Sequence, residues 1–198
     1  MAVTILDPKT ALVVIDLQNG IVALPTVHPA HEVVRYASAL ADAFRRHGLP
    51  VVLVSVAGAP SGRTERVRSV AQLPAGWADL VPELNQQPED YAVTKRQWGA
   101  FTNTGLEEHL KNLGVTQVVI AGIATSIGVE STARHAHEYG FNVTLAVDAM
   151  TDTNPDAHIN SITRIFPRLG ETGTTQEILD LLDSTPRVTL SATRIADS

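Results

Sequence analysis

The stretch Ala11-Leu12-Val13-Val14-Ile15-Asp16-Leu17-Gln18-Asn19 decides the fold. Its apolar run does not alternate and stops at a carboxylate, which is the pattern of a short strand covered on both faces. A helix-period segment follows from Pro29 to His47. In it Val33, Val34, Ala37, Leu40, Ala41 and Phe44 recur at three- and four-residue steps before Gly48 and Pro50 end it. A second β-branched run, Val51 to Val56, comes next. Strand, helix and strand in this order predict a βαβ unit with two parallel strands.

Working outward, the runs Tyr91 to Thr94, Val118 to Ala121 and Val143 to Val147 predict further strands. Leu106, Leu110 and Leu113 share one helical face in a segment that stops at Gly114, and another helix is expected from Ser126 to Tyr139, stopping at Gly140. Asn154-Pro155 reads as a helix N-cap followed by proline at the first helical position. Thr174-Thr175-Gln176-Glu177 contains a capping box ahead of Ile178, Leu181 and Leu182. The alternation predicts a three-layer α/β sandwich around a mostly parallel, six-stranded sheet. By pattern alone Arg187 to Ser191 is the best late strand. The stretch Ala57 to Gly76, rich in Gly, Pro, Arg and Ser, reads as a long loop over one edge of the sheet. One domain over residues 1–184 and an extension over 185–198 are expected.

A chain of 198 residues with 44% apolar content can bury one substantial core. The net charge of −6, with no basic run beyond pairs such as Arg45-Arg46, carries no electrostatic footprint for nucleic acid or an anionic membrane. The chain has no cysteine, so disulfides, thiolate metal sites and a thiol nucleophile are excluded by composition. The N-terminus lacks a basic segment followed by a long apolar stretch, and a cytoplasmic location is expected.

Asp16, Lys95 and the turn from Ile123 to Gly128 each stand at the carboxyl end of an expected strand. In an open parallel sheet those ends share the edge where ligands bind, so three distant segments converge. An aspartate and a lysine in one sheltered cleft hold each other charged, which makes them a proton-transfer pair. Taken singly, each has a plainer reading. Asp16 alone suits a strand-end cap, Lys95 alone a solvated cation, and Gly128 a close backbone approach.

The sequence Gly122-Ile123-Ala124-Thr125-Ser126-Ile127-Gly128-Val129-Glu130-Ser131-Thr132-Ala133-Arg134 resembles the nucleophile loop of the isochorismatase-like hydrolase superfamily, with glycine where the cysteine stands. The segment ending at Asp16 resembles that superfamily's catalytic-aspartate strand. Thr94-Lys95-Arg96-Gln97-Trp98-Gly99-Ala100-Phe101 resembles its catalytic-lysine segment. The resemblance spans roughly Thr10 to Leu182 and is closest in wording to the cysteine-less, YecD-like branch.

The resemblance implies a Rossmann-like fold whose last strand lies near Arg168 to Thr172, and catalytic positions at Asp16, Lys95 and Gly128. It implies a cis peptide joining Ile123 to Ala124, with the N–H groups of Ala124 and Gly128 as oxyanion donors. Thr125, Gln18, Trp98 and Phe101 are the further substrate-binding candidates. It also implies a homodimer or homotetramer acting on a small molecule. No cofactor is expected. No metal site is expected either, because Val54-Ser55-Val56-Ala57-Gly58 stands where some relatives carry a metal motif.

With Gly128 at the nucleophile position a covalent acyl route has lost its attacking atom. The activity expected is non-covalent hydrolysis of a small vinyl ether or related carboxylate, with Asp16 as general acid and Lys95 orienting it and binding a substrate carboxylate. Two rivals stand beside it. One is a serine- or water-based amidohydrolase using Ser126, Thr125 or Ser131, and the other is a ligand-binding homologue without turnover.

Overall fold

The computed structural model describes residues 3–65 and 73–184. The strands are β1 (Thr10–Ile15), β2 (Val51–Val56), β3 (Tyr91–Lys95), β4 (Gln117–Ile123), β5 (Asn142–Thr151) and β6 (Glu171–Gly173). They form one six-stranded sheet in the order β3-β2-β1-β4-β5-β6. All neighbouring strands run parallel. The helices are α1 (Asn19–Val22), α2 (Ala30–Arg46), α3 (Leu106–Asn112), α4 (Glu130–Glu138), α5 (Pro155–Asn160) and α6 (Thr175–Ser184).

Every residue of β1 is buried, as its unbroken apolar run requires. Successive side chains enter opposite layers. Leu12 and Val14 pack with Val33, Leu40 and Phe44 of α2 and Ile178 of α6, whereas Ala11, Val13 and Ile15 pack with Leu106 and Leu110 of α3 and Ala133 of α4. Each fully buried Leu or Phe contributes about 1.5–3 kcal/mol, so the two layers hold the sheet from both sides.

The strand order reverses direction at β1, which pairs with β2 on one side and β4 on the other. A crevice opens at such a reversal, outside the carboxyl ends of the strands. Asp16 follows β1 and the Ile123 turn ends β4, so both border it. Lys95 belongs to β3 itself as its last residue, one beyond the strand expected from sequence.

The structure departs from the sequence reading in three places. β5 runs past Val147 to Thr151, because its register with β4 slips: Ile120 faces Leu145 but Gly122 faces Met150. Asp148 lies in that interruption, where its Oδ1 accepts hydrogen bonds from the N–H (2.7 Å) and hydroxyl (2.9 Å) of Thr175 at the start of α6. The last strand is Glu171–Gly173, because Phe166–Arg168, with Pro167 inside it, forms a 3-10 turn instead. The expected helix from Ser126 opens with a π-helical turn, Thr125–Val129, before α4 begins.

Both helix starts read from sequence form as expected. The Asn154 side chain accepts from the Ala157 N–H at 3.0 Å, and Thr174 and Glu177 cap each other reciprocally. The strand expected at Arg187 to Ser191, and residues 66–72 of the expected loop, lie outside the described residues. Among the described residues no helix is long and apolar enough to cross a membrane.

Candidate active site

Asp16 ends β1 in the left-handed region at φ 52°, a conformation that aspartate tolerates better than most residues. Its Oδ2 accepts a hydrogen bond from Lys95 Nζ at 2.7 Å. The two side chains are 7% and 2% exposed. Removing either partner of so buried a pair leaves an uncompensated charge, so the two residues depend on each other. The other oxygen, Oδ1, is buried without a hydrogen-bond partner. Such exceptions are uncommon in folded proteins and call for a cause. Burial pushes the Asp16 carboxyl up to about 6, against the opposing charge and hydrogen bond of Lys95.

The turn after β4 is fixed from all sides. Gly122 has φ +121°, and a Cβ there would lie 2.1 Å from the Ile15 carbonyl oxygen, so β4 reaches the turn only with glycine at that point. The Ile123–Ala124 peptide bond is cis. The Ala124 carbonyl accepts from the N–H groups of Ile127 (3.1 Å) and Val129 (3.2 Å). Thr132 donates its hydroxyl to the Gly128 carbonyl at 2.7 Å and accepts from the Ala100 N–H at 3.0 Å, stitching the turn to the segment that carries Lys95.

Beneath the turn, the Thr125 hydroxyl and His158 Nδ1 are 2.8 Å apart, and Asp152 Oδ2 accepts from the Ser126 N–H at 2.7 Å. Burial, reinforced by the neighbouring His28 ring, lowers the His158 pKa against the opposing pull of Asp152. These partners leave the turn little freedom to move.

Gly128 looks straight onto the charged pair. A Cβ at this position would stand 3.3 Å from Asp16 Oδ2 and 3.5 Å from Lys95 Nζ, and 2.9 Å from Ile15 Cγ2. Asp16, Lys95, Ala124 and Gly128 thus share one cleft of about 290 Å³, together with Trp77 and Trp98. Sequence reasoning missed Trp77. It packs on Gly20 of α1, where an added Cβ would fall 1.9 Å from the indole Nε1, and its carbonyl accepts from the Gly20 N–H at 2.9 Å. A glycine paired with a distant tryptophan carries no signal in a single sequence.

Three expected substrate contacts are used elsewhere. The Gln18 amide is fully buried and spends both ends on backbone: Nε2 donates to the Val56 carbonyl (3.0 Å) and the Trp77 carbonyl (3.3 Å), and Oε1 accepts from the Val56 N–H (2.7 Å). Gln18 therefore straps the ends of β1 and β2 to the Trp77 segment. The Thr125 hydroxyl is committed to His158. Phe101 lies in the core against Phe141 and Tyr139, with ring centroids 6.0 and 5.5 Å away, because the chain turns inward after Trp98. Of the alternative nucleophiles Ser126, Thr125 and Ser131, none lines the cleft.

The arrangement can transfer a proton. It presents a carboxyl of raised pKa with one unmatched oxygen, a lysine fixing its orientation, and a backbone turn facing both. Among the described residues no three carboxylate or imidazole groups converge as a metal-binding cluster.

Comparison with known proteins gives the family. Residues 10–177 match the isochorismatase domain. The chain is 42% identical over 179 residues to the isochorismatase family protein YwoC of Bacillus subtilis (strain 168), covering 87% of this chain and 93% of that one. It is 43% identical over 183 residues to the isochorismatase family protein YecD of Escherichia coli O157:H7, covering 87% and 96%. A solved isochorismatase family protein from Burkholderia thailandensis superimposes with a TM-score of 0.87 at 43% identity, covering 91% of this chain and 98% of that one. With the sheet order, the aspartate–lysine pair and the turn after β4 all falling inside the matched span, the chain belongs to the isochorismatase family.

Proposed function

We propose that this chain is a hydrolase that cleaves a small vinyl ether without a covalent intermediate, using Asp16 as general acid. The observation that carries the reading is the Asp16 carboxyl, buried with Oδ1 unmatched and raised to about 6, facing a cleft in which glycine replaces the family nucleophile. Protonated Asp16 gives its proton to the terminal carbon of the enol ether, and the resulting oxocarbenium ion is attacked by water. The adduct loses a proton back to Asp16 and collapses to a ketone and an alcohol. Lys95 holds Oδ2, the carboxyl oxygen nearest Gly128, at 2.7 Å and so fixes the orientation of the acid. The oxocarbenium oxygen becomes positive on this route, so the N–H groups of Ala124 and Gly128, expected as oxyanion donors, have no developing negative charge to stabilise in the protonation step.

That none of Ser126, Thr125 and Ser131 lines the cleft supports this route over an amidohydrolase built on one of them. Binding without turnover is the second reading, favoured by how deeply Asp16 and Lys95 are buried. Product release from isochorismate and from an uncharged enol ether, compared in wild type and Asp16→Asn, tests the proposal. General acid catalysis is worth roughly 10²–10⁴-fold, so the variant is expected to lose that much. Release that persists in Asp16→Asn, or no release from either substrate by folded wild type, sinks the reading.

A further inference from the structure

The cleft has a charge balance that selects its ligand. Among the described residues that line it, Asp16 and Lys95 alone carry charge, and they spend it on each other at 2.7 Å. Arg96 is exposed and packs against Gly58 with its Cγ 3.2 Å from a Cβ placed there, outside the lining. The rest of the described lining is apolar, including Ile21, Leu24, Val56 and Ile127, with Gln97 and Thr153 as neutral polar groups. A carboxylate entering such a space gives up its hydration and meets a pair with no net charge, which is a cost without compensation.

The aromatic content points the same way. The chain has only two tryptophans, and both line this cleft from separate segments. Trp98 is 49% exposed, although large apolar side chains are normally covered. Indole faces favour flat rings, and a volume near 290 Å³ restricts the ligand to a small one.

We propose that the cleft takes a small, planar, uncharged molecule, seated against Trp77 and Trp98 above the mutually neutralised Asp16–Lys95 pair. This rests on the reading of the cleft as the substrate site, and it corrects the expectation that Lys95 receives a substrate carboxylate: that ammonium is 2% exposed and already engaged.

Benzamide and benzoate present nearly the same ring without and with charge, and intrinsic fluorescence reports on the cleft because both tryptophans lie in it. At pH 7.5 benzamide is expected to bind at least about tenfold more tightly than benzoate. Between pH 7.5 and 5.5 benzoate is expected to gain about tenfold, as protonation of Asp16 leaves Lys95 with an unbalanced charge, while benzamide stays constant. Benzoate binding as tightly as benzamide at pH 7.5, benzoate affinity that is flat with pH, or saturation by neither probe would each overturn the inference. Catalysis is read separately from product release. Benzamide preference without turnover leaves this inference standing and removes the hydrolase reading. Asp16-dependent release from isochorismate with tight benzoate binding does the reverse.

Discussion

The two ends of the central strands carry buried polar groups of opposite character. At the amino end, Gln117 is fully matched. Its Oε1 accepts from the Asp7 N–H (2.6 Å) and the Thr10 hydroxyl (2.8 Å), and its Nε2 donates to the Ile5 carbonyl (3.2 Å) and the Thr144 hydroxyl (3.0 Å). At the carboxyl end, Asp16 keeps one oxygen unpaired under comparable burial. Saturated polar groups lock a structure, whereas an unmatched one is tolerated where a ligand or proton completes it.

The largest expected separation between the two ends is in pH response. If protonated Asp16 is the acid, turnover is highest below about pH 6 and falls roughly tenfold per unit above it, so a rate profile from pH 5 to 8 spans about a hundredfold. Stability follows the same group. Its folded pKa of about 6 exceeds the ordinary 3.8, so the folded state holds a proton that the unfolded chain has released between these values. The contribution of Asp16 is therefore full below about pH 4 and is lost as pH rises through 6. A flat rate profile across this range removes Asp16 from the acid role.

Substituting Gln117→Leu inverts the expectation. It strands the Asp7 N–H and the Ile5 carbonyl, at about 1–3 kcal/mol each, so denaturant melts should show a loss of about 3 kcal/mol while the folded fraction keeps its activity. A loss of activity per folded molecule would show that the two ends are not independent.

The smallest effect is expected at Gly128→Ala. Its Cβ meets the Ile15 Cγ2 methyl at 2.9 Å, on a strand buried from both sides, and the overpacking is partly offset by the better helix propensity of alanine. A net destabilisation of about 1 kcal/mol, read by thermal melts, is expected. Unchanged or raised stability would show that Ile15 yields to the added methyl.

What was legible in the sequence was whatever depends on local pattern. The buried strand β1, the amphipathic α2 and the two capped helices follow from residues adjacent in the chain. That Asp16, Lys95 and Gly128 share one cleft is legible because each sits at or just past a strand end, and the sheet brings those ends together. The contacts that Gln18, Thr125 and Phe101 make are not legible, because their partners are far away in the chain: Val56 and Trp77, His158, and Phe141. The apolar run of β5 ends at Val147 in the sequence although the strand continues to Thr151, because its slip against β4 belongs to the pairing and leaves no mark on composition.

The strand order also sets a schedule for assembly. β1, β2 and β3 can pair once the first 95 residues exist, and their pairing brings Asp16 to Lys95. β4 pairs with β1 only after Gln117–Ile123 has been made, so the central strand waits with one edge unsatisfied. During synthesis at about 5–20 residues per second that edge stays open for seconds and is available to a wrong neighbour. The strand that delivers the proposed acid thus spends this interval with an edge open to mispairing.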